Sequence, residues 1–159
     1  MTDPWALIRD QDAQRLAVVA GDYVVRLAGT DTSGALSIVE FVLAPGAVGA
    51  AAHVHHGHEE GFVVLSGRVR FALGGRTGDS TGADVQEVVA GESAVAWVPR
   101  GVRHAFANSD DVPARILGLF SPAGYEGYFV QMAEALARGD LLDDAALGQL
   151  RANYATTTG

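Results

Sequence analysis

Four of the five histidines in this 159-residue chain fall in one stretch, Ala52-His-Val-His-His-Gly-His-Glu-Glu-Gly-Phe-Val-Val-Leu-Ser-Gly67, and the fifth is His104. Imidazoles and carboxylates are the side chains that bind transition metals, and this stretch concentrates them. Residues two apart on a strand share a face, so His53 and His55 project together. Two imidazoles side by side in an apolar interior are costly unless something cationic or acidic bridges them. Glu60 begins the following strand, and the short loop between lets its carboxylate turn back toward the pair. His104 can supply a third imidazole from another strand. Three neutral nitrogens and one carboxylate suit one divalent transition metal ion, with Mn, Fe, Co, Ni, Cu and Zn all compatible. Calcium would want more oxygen ligands.

Composition narrows the chemistry further. Cysteine is absent, which excludes disulfides, thiolate nucleophiles and Cys-ligated zinc. Every one of the eleven basic residues is arginine, so no lysine exists to form a Schiff base. A net charge of −8 with no basic patch argues against nucleic acid as a partner. The N-terminal Met1-Thr-Asp-Pro-Trp5 lacks the features of a signal peptide, and no apolar run is long enough to span a bilayer. A cytoplasmic location without membrane contact is the expectation.

The elements that must position these residues are short. One turn of helix is expected around Trp5-Ala-Leu-Ile8. Runs rich in Val, Leu and Ile, broken by Gly, Pro, Asn or Asp, predict strands over 15–20, 22–27, 35–43, 61–66, 68–73, 85–90, 93–98, 103–107 and 114–120. Ser66-Gly67 reads as a hairpin turn, and the glycine-rich segment 74–84 as an exposed loop. After Pro122 the period becomes helical: Tyr125, Tyr128, Phe129, Met132 and Leu136 share a face, and Gly139 ends the helix. Asp143 or Asp144 caps a second helix carrying Leu147, Leu150 and Tyr154. Both helices read as core-facing, with one of them alternatively covering a subunit interface or a pocket mouth. Periodicity implies an all-β sandwich or barrel followed by helices and leaves the topology open.

Two motifs resolve it by resemblance. His53-Val-His55, Glu60 and Gly67 form the first; Gly91 and Pro99-Arg-Gly101-Val-Arg-His104-Ala-Phe-Ala-Asn108 form the second. Over roughly residues 40–120 the sequence resembles the cupin superfamily, with one slip: the glycine expected just before the first histidine falls at Gly46 rather than at Ala47. The resemblance implies an all-β double-stranded β-helix, the cupin jelly-roll barrel, with two C-terminal α-helices. It implies one cupin domain over residues 1–159, its barrel core at about 15–120 and a helical extension at 123–155. It also implies that His53, His55, Glu60 and His104 bind one metal inside the barrel. Gly67, Gly91 and Gly101 would then take backbone angles other residues avoid, Pro99 would fix the entry to the second motif, and Asn108 would hydrogen-bond a turn. Looser phrases, Gly29 to Glu40 and Ser121 to Phe129, are similar to small bacterial cupins of the quercetin dioxygenase-like group, and cupins of this size resemble proteins that are often homodimers.

Strand alternation places Phe62 and Val64 on the face of Glu60 and Phe106 on that of His104, so they should line a cavity beside the metal. Phe41 and Trp97 join them, depending on register. His56 and His58 read as exposed loop histidines, His58 alternatively as a group supporting the ligands from behind, a substrate-facing group or a substitute ligand for Glu60. Arg70 and Arg115 are surface charges or, if inward, anchors for an anionic group. An aromatic-walled cavity suits an aromatic or polycyclic small molecule. The expected activity is a dioxygenase cleaving a flavonol-like or other cyclic enol or phenol, with Glu60 as base and dioxygen as co-substrate. The alternatives are a non-redox cyclase or isomerase of polyketide-type biosynthesis and a ligand-binding cupin without turnover.

Overall fold

The structure is a computed structural model and describes residues 5–76 and 85–158. Eleven strands and two α-helices are found among them. They are β1 (Gln14–Val18), β2 (Gly21–Leu27), β3 (Ser37–Leu43), β4 (Val48–His55), β5 (Glu59–Ser66), β6 (Val69–Arg76), β7 (Gln86–Ala90), β8 (Val95–Val98), β9 (Val102–Asn108), β10 (Ala114–Ser121), α1 (Glu126–Ala137), α2 (Asp144–Ala152) and β11 (Thr156–Thr158).

Two antiparallel sheets face each other, one ordered β1-β2-β3-β10-β5-β8 and the other β11-β4-β9-β6-β7. This is the jelly roll expected. Alternation drives it: Ile116, Gly118 and Phe120 of β10 are buried while the residues between them are more exposed, and Phe41, Phe62, Phe71 and Phe106 meet between the sheets. Each such side chain contributes about 1.5–3 kcal/mol by leaving water. Gly101 takes the positive φ expected, 78°, and its N–H donates to the carbonyl of His55 at 2.8 Å, tying the second motif to the first. Asn108 donates to the carbonyls of Ala44 and Val112 at 3.0 and 2.7 Å, holding the β3–β4 and β9–β10 turns together.

Helix α1 ends as expected, Gly139 having φ 82° and its N–H meeting the Leu136 carbonyl at 3.0 Å. Asp143 rather than Asp144 caps α2, accepting from the Ala146 N–H at 2.8 Å. No helix among the described residues is long and apolar enough to cross a membrane.

Several expectations need correction. Residues 5–8 form no helix; a 3-10 turn lies instead at Asp10–Asp12. Strand β6 runs on through Gly74 and Gly75, and the rest of the expected loop, 77–84, lies outside the described residues. Gly91 is not among the positive-φ glycines; Ser93, with φ 67°, takes the left-handed position in that turn. Trp97 pairs in register with Gly61 on the outer face of β8 and is 55% exposed, so it faces away from the barrel interior.

Candidate metal centre

The four motif residues converge from both sheets. His53 and His104 are register partners across β4 and β9, their rings 4.2 Å apart between centroids. His55 follows two residues after His53, and their Nε2 atoms lie 3.1 Å apart. Glu60 enters from β5 of the facing sheet, its Oε2 3.0 Å from Nε2 of His55 and 2.8 Å from Nε2 of His104. All four are buried, and one donor atom from each lies within 4.8 Å of the others.

Their surroundings settle which nitrogen faces inward. Nδ1 of His53 lies 2.7 Å from the carbonyl of Ala51, and Nδ1 of His104 lies 3.0 Å from that of Val102. A carbonyl only accepts, so both Nδ1 atoms carry hydrogen. For His55 the partner is Thr156, whose Oγ1 donates to the Tyr154 carbonyl at 3.1 Å and therefore accepts from Nδ1 at 2.8 Å. Nε2 of each ring is thereby left for the centre, where those of His55 and His104 face Glu60 and that of His53 faces His55. With the rings neutral, three lone pairs and a carboxylate at one buried point repel one another unless a cation, a proton or a metal ion, lies among them. The donor set, with its outer hydrogen bonds, fits a divalent transition metal, and His53, His55, Glu60 and His104 could hold one.

Charge agrees with this chemistry. Burial alone would raise the Glu60 carboxyl, but the contacts from His104 and His55 outweigh it and hold it well below the usual carboxylate range. Burial, reinforced by His104 and His55, pushes His53 down to about 3. Burial opposes charge on His104 too, yet the Glu60 carboxylate prevails and raises it.

His58 departs from the loop-exposed expectation. It is only 5% exposed, its ring 4.1 Å from that of His55 and 4.5 Å from that of Tyr125. Burial, then His55, pushes it down to about 3. It buttresses His55 from behind and does not line the cavity described next. His56 is exposed, with Nε2 3.0 Å from the Thr157 hydroxyl. Thr156 and Thr157 belong to β11, which pairs with His53 to His55 of β4. Sequence reasoning missed this strand, although three consecutive β-branched threonines were a strand signal.

A cavity of about 430 Å³ opens onto His53 and Glu60. Its walls are mostly apolar: Phe41 and Phe106 come from the barrel, Tyr125 and Tyr128 from the start of α1, and Met132 and Leu136 from farther along it. Helix α1 therefore packs on the core and walls the cavity as well. Phe62 and Val64 point inward beside Glu60 but belong to the packed interior rather than the cavity wall. Trp97 is absent from the wall, as its outward direction requires. Neither arginine singled out earlier enters: Arg70 is exposed, and Arg115 pairs with Glu40 at 2.7 Å. Arg151 of α2, overlooked in the sequence, does line the cavity.

Residues 39–120 match the family described as Cupin domain. No curated protein matches the chain in sequence. Among solved structures, KdgF from Halomonas sp. is similar with a TM-score of 0.62 and 17% identity, over 77% of this chain and 97% of that one. An RmlC-like cupin from Shewanella frigidimarina NCIMB 400 gives 0.59 and 16%, over 79% and 96%. The capsular polysaccharide assembling protein CapF from Staphylococcus aureus gives 0.61 and 14%, covering 92% of this chain, which spans 34% of that one. At these identities the likeness is one of fold.

Proposed function

Because the chain belongs to the cupin domain family, we propose that it is a metal-dependent dioxygenase acting on an apolar cyclic enol or phenol. The observation that carries this reading is the aromatic-walled cavity opening directly onto His53 and Glu60. In this reading His53, His55, Glu60 and His104 hold one divalent transition metal. When bound, such an ion supplies Lewis acidity and, if redox-active, electron transfer toward dioxygen.

The chain's own side chains do the rest. Phe41, Phe106 and Tyr128 hold the substrate rings and keep water out. Glu60, kept ionised by its histidine partners, takes the enol or phenol proton. A cleaved C–C bond then takes one oxygen atom of dioxygen on each side, so no external reductant is needed. This is the chemistry of the quercetin dioxygenase-like group, and assignment of the chain to that group belongs to the same proposal.

The test is oxygen uptake by metal-free protein reconstituted in turn with Fe, Mn, Co, Ni, Cu and Zn, with flavonols and related cyclic enols. Uptake of one dioxygen per substrate with at least one redox-active ion, and none with Zn, is expected. Substrate consumption without oxygen uptake would replace this reading with the cyclase or isomerase alternative. Binding without consumption would leave a ligand-binding protein.

A further inference from the structure

We infer that Arg151 receives a carboxylate at one end of the cavity, so that the apolar enol or phenol bound there also carries an acid group. The inference rests on the proposed function for the metal-facing end of the same cavity. Several arginines in this acidic chain meet a carboxylate, as Arg26 and Arg115 do at Glu40 and Arg68 does at Asp110. Arg151 meets none among the described residues, yet it is partly buried and lines an otherwise mostly apolar wall. A guanidinium set in such a wall loses hydration, and a carboxylate on the ligand would compensate it through two parallel hydrogen bonds.

The two ends lie within reach of one small molecule. Arg151 stands five positions before Thr156, the hydrogen-bond partner of His55, which limits their Cα separation to roughly 17 Å. Arg151 and Tyr125 line the same cavity, and the Tyr125 ring packs 4.5 Å from that of His55. The carboxylate in the same wall, Glu60, is engaged by His55 and His104. Arg151 is thus the cation left for the ligand.

The experiment is calorimetric titration of the as-purified protein with 2-naphthoate and 4-phenylbutanoate, each beside its amide. The wild type is expected to bind at least one acid about tenfold more tightly than its amide. Arg151→Gln should abolish that preference without weakening the amide, Arg151→Lys should restore part of it, and thermal unfolding should show both variants folded. His53→Ala should keep the preference, because the carboxylate does not depend on the metal. Absence of any acid preference in the wild type, or a preference kept in Arg151→Gln and lost in His53→Ala, overturns the inference. An acid preference that depends on Arg151 in a protein showing no oxygen uptake leaves the inference standing and removes only the proposed dioxygenase activity.

Discussion

The hydroxyl of Thr156 lies 2.8 Å from Nδ1 of His55 and donates to the Tyr154 carbonyl, so a residue 101 positions away decides which nitrogen His55 turns to the centre. Thr156→Val keeps the shape and removes the acceptor. Metal affinity is expected to fall about 10- to 100-fold with the fold intact, and Thr156→Ser should recover most of it. Competition against a chelator measures both. Equal affinities in wild type and Thr156→Val would remove Thr156 from the site.

The metal-free protein should lose stability in mild acid. Burial pushes His53 and His58 down to about 3 from an ordinary 6.5, so the unfolded chain binds protons across that window that the folded one does not. Stability therefore falls as pH drops from 6.5 toward 3, and the lowered Glu60 carboxyl adds to the loss below its ordinary 4.5. His104, raised, acts the other way: its contribution is full below 6.5 and is lost as pH rises through its folded value. Calorimetric melting points between about pH 4 and 7 should show the slope, and His58→Phe should flatten it. An unchanged slope in that variant contradicts the burial of His58.

Glu40 sits between two arginines, its carboxylate 2.7 Å from Nε of both Arg26 and Arg115. Glu40→Ala takes the carboxylate from Arg115 and leaves Arg26 with Asp10 alone, although Arg115 is 49% exposed and can turn to water. A loss of about 2–3 kcal/mol in denaturant unfolding is expected, with metal content unchanged because the network lies away from the cavity. Loss of metal in this variant would couple the network to the centre.

Much of the centre was legible because its spacing is local or carried by a motif. His53 and His55 share a face by alternation alone, and Glu60 follows after a loop too short to carry it elsewhere. His104 needed the second motif, since nothing local pairs β9 with β4. What escaped depends on contacts between distant segments. His58 is buried only because Tyr125 and Phe120 close over it. Trp97 turned outward through the register of β8 on β5, and Arg151 reached the cavity only through the path of α2. Strand alternation marked Phe62 and Val64 as inward, but the boundary between packed core and open cavity is set by how α1 lies across the barrel.

Elemental analysis of protein purified without added metal tests the central claim most directly. The four-residue centre predicts one first-row transition metal ion per chain in the wild type and less than about a tenth of that in His53→Ala, with the variant still folded. A wild type without stoichiometric metal, or a His53→Ala variant that retains it, would contradict the assignment.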